Sequence, residues 1–263
     1  MAEIKICGIR SPIEAKYLND ARVEYAGCVF HKPSKRYVTF DEAAEVLKAL
    51  DKRIKRVAVT VSPDKALIKE IERSGFDILQ VHKSLSEEVI REANIPIWYA
   101  CNIEDEEGLT EALTFLDGLP SELADKITGI VADAKEFGSG KTFNWKGADD
   151  KPEDIPYRKS KRLLKAGAQS PPDEVKQSDG YNNGHNDGHD NRNNDEHRTE
   201  RLFILAGGLN EDNVAEGIRI FKPDIVDVSS GVEGAGGKDK DKITAFVKAV
   251  RSSENQITDQ HRS

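Results

Sequence analysis

The chain has 263 residues, room for one large domain or two small ones, and the length does not choose between them. Its 39 basic and 47 acidic residues give a formal charge of −8, which keeps a protein in solution and argues against coating a nucleic-acid duplex. Hydrophobic residues make up 37% and charged residues 33%, a dilute mixture that points to a packed core averaged with a segment that has none. In chain order, residues 4–9 form the first strand-like run. Ser11-Pro12-Ile13-Glu14 then starts a helix, with Ser11 as cap, Pro12 in the first turn and Glu14 completing a capping box. Residues 25–30 form a second strand, followed by a helical pattern over 41–52. The run 57–61 leads into Ser62-Pro63-Asp64, another cap-and-proline start, and a helix to about Ser74. Strands follow at 78–82, 97–103 and 130–134, with helices near 87–93 and 107–116 between them. A sixth helix fits 154–166. The last two strands, 202–206 and 225–229, each precede a helix, near 211–221 and 240–250.

Eight short Val- and Ile-rich runs, each followed by room for a helix, read as strands buried on both faces. Repeated βα units of this kind predict a parallel sheet, and eight of them can close into a (βα)8 barrel of the TIM type within one domain. A doubly wound open sheet has the same periodicity. The domain expected is 1–251, interrupted by an insert at 169–200 and followed by a polar tail at 252–263 that should fray. The insert lies between strands six and seven. Val175 and Tyr181 are its sizeable apolar residues, while Asn, Asp, Gly and His dominate. It also carries eight acidic and three basic residues, so much of the negative charge belongs to it. Such a stretch cannot bury enough apolar surface to offset its chain entropy, and composition predicts a disordered loop. His185, His189 and His197 stand in it, but too many glycines surround them to hold a metal-binding geometry.

No run of 18 apolar residues occurs, so no transmembrane helix is expected. The opening Met-Ala-Glu-Ile-Lys-Ile-Cys enters a strand pattern directly, without the regions of a signal peptide. Cys7, Cys28 and Cys101 are odd in number, widely spaced and form no CxxC, which predicts neither disulfides nor a thiolate metal site. A reduced, cytoplasmic protein is expected, without membrane or nucleic-acid partner. Nothing in the sequence fixes an oligomeric state.

In a (βα)8 barrel, chemistry sits where strands end. After strand seven stands Ala206-Gly207-Gly208-Leu209-Asn210, and after strand eight Ser229-Ser230-Gly231-Val232-Glu233. Both loops expose backbone N–H groups ahead of a helix, as phosphate sites in this architecture do. Tight turns alone would also explain the glycines. Cys7 ends strand one, and a thiol can act as a base once nearby positive charge lowers its pKa. Asp133, near the end of strand six, is a possible acid partner. Taken singly, a strand cysteine is more often packing and a strand-end aspartate more often a cap. His82 reads as a pocket wall rather than a ligand. Cys28 and Cys101 read as core. Gly138-Ser139-Gly140-Lys141-Thr142 lacks the first glycine of a P-loop and reads as a moving active-site loop.

Together, Lys5-Ile6-Cys7-Gly8-Ile9, Ser34-Lys35-Arg36-Tyr37, Gln80-Val81-His82, residues 138–145, 206–210 and 226–233 resemble the phosphoribosylanthranilate isomerase family of tryptophan biosynthesis. Six weak motifs in register cover almost the whole chain outside the insert and tail. The resemblance implies a cofactor-free Amadori rearrangement of a small phosphorylated substrate, with no metal. On it, Asp133 matches the general acid and Cys7 the general base. Arg36 matches the residue facing the anthranilate carboxylate, and Gly207, Gly208, Ser230 and Gly231 match the phosphate-holding turns. Gln80, His82 and Asp227 match pocket positions. Three residues depart from the family's usual pattern: Lys83 in place of Gly, Asn144 in place of Asp and Arg10 in place of Thr. A related sugar-phosphate barrel isomerase of histidine biosynthesis, or a dual-specificity enzyme, is the rival within enzymes. A non-catalytic barrel with a metal-binding insert is the rival outside them.

Overall fold

The apolar runs form eight parallel strands: β1 (Glu3–Cys7), β2 (Tyr25–Val29), β3 (Lys55–Val61), β4 (Ile78–His82), β5 (Ile97–Asn102), β6 (Ile127–Asp133), β7 (Leu202–Leu205) and β8 (Ile225–Val228). The structure is a computed structural model that describes residues 1–102, 106–133 and 201–260. The strands close in sequence order, with β8 pairing β1 through Lys5 opposite Asp227, and the open-sheet alternative is thereby set aside. The insert at 169–200, the expected helix at 154–166 and the loop at 138–145 lie outside the described residues.

Alternation along each strand sorts the side chains into two layers. Val57, Ile78, Trp98, Val131, Ile204 and Ile225 face inward and fill the barrel. Trp98 is almost fully buried and packs against Tyr25 at 5.0 Å between ring centroids. Gly129 on the neighbouring strand makes this possible, because a Cβ there would stand 2.6 Å from the Trp98 ring. The opposite faces carry Ile4, Ile6, Leu79 and Phe203, which pack beneath helix residues such as Leu18, Ile68, Ile71 and Phe246. Burying each such side chain contributes about 1.5–3 kcal/mol.

The helix starts show where local chemistry departs from expectation. Thr39 and Glu42 form a reciprocal capping box on the helix Phe40–Ala49. The helix Lys65–Arg73 is capped by Asp64, whose side chain accepts from Leu67 N–H at 2.8 Å, and not by Ser62. Ser62 instead takes a positive φ of 47° and donates its N–H to the His82 carbonyl. Ser11 caps the helix Pro12–Ala21 as expected, but Glu14 does not complete the box. Its buried carboxylate accepts from Arg10 N–H at 2.6 Å and from Lys238 N–H at 2.8 Å. It thereby ties the turn after β1 to a short antiparallel pair, Glu233–Gly234 with Gly237–Lys238, that follows β8. Gly237 has a φ of 132°, and a Cβ there would lie 2.5 Å from the Glu14 carboxylate. Glu14→Ala is expected to cost about 2 kcal/mol or more, because it orphans two backbone donors. Urea denaturation checks this, and an unchanged midpoint would contradict the clasp.

The last helix, Lys240–Gln260, runs well past the expected 250 and takes in most of the presumed tail. An established helix adds residues cheaply. Arg251 anchors it by donating to the Ala21 and Arg22 carbonyls, and Ser253 donates to the Val250 carbonyl.

Candidate active site at the barrel mouth

The carboxyl ends of the strands bring together most of the residues singled out from the sequence. Cys7 is the last residue of β1 and half-buried. Asp133 is the last residue of β6, in register with Asn102 of β5. Gly8 follows Cys7 with a φ of 83°, and the Arg36 side chain lies across it where a Cβ would overlap the Arg36 Cδ. The Cys-Gly pair is therefore explained twice, by backbone conformation and by the passage of Arg36.

Arg36 is presented by a turn in which Ser34 Oγ accepts from Arg36 N–H and the Tyr37 N–H donates to the Ser34 carbonyl. Its guanidinium is already held. Arg36 Nε donates to Glu233 Oε1 at 2.5 Å and Nη2 to Oε2 at 3.1 Å, a two-point fork. Lys238 Nζ donates to the same Glu233 Oε1 at 2.9 Å and also to Ser229. Burial alone would raise the Glu233 pKa, but the hydrogen bonds from Arg36 and Lys238 win and hold it at about 2. Glu233 is thus an anchor that orients Arg36. Among the described residues, Arg36 Nη1 makes no hydrogen bond.

Gly207 and Gly208 follow β7 with φ of 86° and 66°, conformations that favour glycine. Their N–H groups make no hydrogen bond among the described residues. Asn213 steadies the loop by donating to the Gly208 carbonyl, while Asn210 Oδ1 accepts from the Asp212 and Asn213 N–H groups. After β8, Ser230–Val232 form a single 3-10 turn. Gly231 within it presses against Leu209 so closely that a Cβ would overlap the Leu209 carbonyl oxygen. The two glycine loops are therefore one packed surface.

Gln80 and His82 point inward from β4, with the Gln80 amide donating to His82 Nε2 at 2.8 Å. Burial, then the neighbouring Lys5 and His31, push the His82 pKa down to about 3, so the ring is neutral. Gln80 is 2% exposed, and its Oε1 has no partner among the described residues. Asp227 faces Lys5, which stands in the first of the six motifs but is given no role by the resemblance. Lys5 Nζ bonds Asp227 Oδ2 at 2.6 Å with the lysine fully buried. Lys5, Glu233 and Lys238 are the site residues missed. A lysine two positions before Cys7, on the same face of the strand and between Ile4 and Ile6, was the available signal for the first.

The departures have local explanations. Lys83 is exposed with a φ of 64°, which accounts for glycine as the family's usual choice there. Arg10 donates to the Lys35 carbonyl at 3.2 Å and so braces the Arg36 loop. Asn144 lies outside the described residues.

Comparison with known proteins decides the family. The family model described as N-(5'phosphoribosyl)anthranilate (PRA) isomerase matches residues 4–178 and 190–249, and its gap falls inside the polar insert. An N-(5'-phosphoribosyl)anthranilate isomerase of Thermoanaerobacter pseudethanolicus is 33% identical over 257 residues, covering 95% of this chain and 98% of the relative. The chain belongs to the phosphoribosylanthranilate isomerase family. A second family member, from Streptococcus pneumoniae ATCC BAA-255, is 31% identical over 256 residues, covering 96% of this chain and 97% of the relative. The crystal structure of the Thermotoga maritima phosphoribosyl anthranilate isomerase superposes with a TM-score of 0.68 at 26% identity, covering 96% of this chain and all of that one. A phosphoribosyl anthranilate isomerase structure at 24% identity and TM-score 0.67, covering 96% of this chain and all of that one, is in complex with reduced 1-(o-carboxyphenylamino)-1-deoxyribulose 5-phosphate. Among the described residues, no helix is long and apolar enough to cross a membrane.

Proposed function

We propose that this chain converts N-(5-phosphoribosyl)anthranilate to 1-(2-carboxyphenylamino)-1-deoxyribulose 5-phosphate, in the cytoplasm, by acid–base catalysis from Asp133 and Cys7. The observation that carries the reading is that Cys7 and Asp133 end two different strands at the mouth that also holds Arg36 and the paired glycine loops. Asp133 gives its proton to the furanose ring oxygen. The C1–O bond breaks, and the anilino nitrogen lone pair forms a cationic Schiff base with C1. That cation acidifies the C2 hydrogen, so the Cys7 thiolate takes it as a proton and the electron pair neutralises the nitrogen. The resulting enolamine tautomerises to the ketone. Protons are redistributed, and nothing is oxidised or reduced overall.

Recognition follows from the charges. The substrate carries a carboxylate and a phosphate. Arg36, oriented by Glu233, meets the carboxylate through its remaining guanidinium edge. The N–H groups of Gly207, Gly208, Ser230 and Gly231 meet the phosphate oxygens. Gln80, His82 and Asp227 line the pocket floor.

Complementation tests the assignment. The gene should restore growth without tryptophan to a bacterium lacking this isomerase. Restoration only of a histidine auxotroph lacking the neighbouring barrel isomerase would overturn it. The barrel domain proposed is 1–251 without 169–200, and the insert supplies none of the groups named above. Deleting 169–200 should leave kcat largely intact. Loss of both folding and turnover in that deletion would contradict the domain boundaries.

A further inference from the structure

We propose that Lys5 is a positioning residue for this reaction, a buried ammonium that serves as counter-ion to the Cys7 thiolate and is shared with Asp227. The inference rests on reading Cys7 as the base. Lys5 is 0% exposed inside a barrel otherwise packed with Val57, Ile78, Trp98 and Ile204. Placing an ammonium there costs several kcal/mol unless an anion meets it, and a purely structural pair is often no better than apolar side chains. Asp227 meets it through Oδ2 at 2.6 Å. Yet Asp227 is 7% exposed, and its Oδ1 has no hydrogen-bond partner among the described residues. A pair built only for stability would satisfy both oxygens.

The second observation is the space beside the pair. Cys7 and Lys5 share one face of β1, and Gly27 of β2 stands opposite, in register with Cys7. A Cβ at Gly27 would lie 3.2 Å from Cys7 Sγ and 3.4 Å from Lys5 Nζ. Sulfur and ammonium therefore border the same small space, which any side chain at position 27 would fill. The ammonium has two anionic partners to choose between. With Cys7 as a thiol it belongs to Asp227, and with Cys7 as a thiolate it neutralises both.

The groups around Cys7 are few and named. Burial pushes the thiol up and, contrary to the expectation of a lowered pKa, leaves it above the ordinary thiol range in the free site; Lys5 is the largest opposing influence, Asp227 pushes up, and Lys238 and Arg36 pull down. Glu233 accepts hydrogen bonds from both of these last two cations. Cys28 of β2 is also near, and its own thiol is driven up to about 12, chiefly by burial, so it stays neutral. His82 of β4 is neutral as well. For Lys5 itself burial opposes the charge, but Asp227 and then Cys7 outweigh it, and the ammonium persists.

The test is the pH dependence of iodoacetamide alkylation of Cys7 in the full chain, with Cys7→Ser as the blank for Cys28 and Cys101. Lys5→Met should raise the thiol midpoint by about one to three units. Asp227→Asn should move it the opposite way, because Lys5 then has Cys7 as its remaining anion. A pair too remote from the sulfur to serve it gives no such opposed shifts, and a pair that serves only the fold leaves the pH profile of kcat/KM where it was. An unmoved midpoint in Lys5→Met overturns the proposal. Should Lys5→Met fail to fold, Asp227→Asn decides alone: a downward shift supports the proposal and an unchanged or raised midpoint overturns it. The pH profile of kcat/KM should follow the alkylation midpoint in each variant. If alkylation shifts and the profile does not, Cys7 is not the base, and the role built on that assignment falls while the Lys5–Cys7 coupling stands.

Discussion

Asp133→Asn and Cys7→Ser are each expected to lower kcat by about 10²–10⁴-fold while leaving the barrel folded. Asn is nearly isosteric with Asp but has no acidic proton for the ring oxygen. Ser keeps a hydroxyl in place of the thiol, but its far higher pKa leaves almost no anion to accept the C2 proton. Both positions end strands whose pairing does not depend on the side chain, so circular dichroism and urea midpoints should stay close to wild type. Steady-state kinetics on freshly made substrate checks the pair, and near-normal kcat in both variants would refute the assigned chemistry. The two losses should not add in full, since each step needs the intermediate delivered by the other.

Gly231→Ala is expected to act on phosphate binding and on stability together. The added methyl would overlap the Leu209 carbonyl oxygen, and backbone cannot yield as the end of a flexible side chain can. Overpacking of this kind costs about 1–3 kcal/mol. Pushing the loop after β8 away from the loop after β7 also splits the surface that offers N–H groups to phosphate. A lost charge-assisted hydrogen bond is worth about 1.5–3 kcal/mol, so KM should rise by about tenfold or more. The change in kcat should be smaller than that in KM, because the reacting carbons lie at the other end of the substrate. An unchanged KM with an unchanged urea midpoint would contradict the packed-loop description.

Period and punctuation made the barrel legible in the sequence. Buried parallel strands must be apolar on both faces, so runs such as Ile-Leu-Gln-Val-His at β4 stand out. Closure was another matter. It depends on β8 meeting β1, a contact between residues more than two hundred positions apart that no local pattern contains. The same separation hid the site's electrostatics. Cys7, Arg36 and the glycine loops could be named from motifs. The fork from Arg36 to Glu233 and the bond from Lys5 to Asp227 join segments about two hundred positions apart, and only the closed barrel brings them together. Glu14 illustrates the converse. Its spacing from Ser11 fits a capping box, but two backbone donors of the β1 turn and the hairpin after β8 offered a better use for its carboxylate. The helix Lys240–Gln260 overran its expected end because Arg251 finds carbonyls on a neighbouring helix that composition cannot reveal.

The most direct measurement is turnover of freshly prepared N-(5-phosphoribosyl)anthranilate by the purified chain in chelator-treated buffer, followed through the change in the aniline chromophore. The expected result is conversion at a rate proportional to protein and indifferent to the chelator. Absence of conversion, or conversion only of the aminoaldose of histidine biosynthesis, would contradict the account.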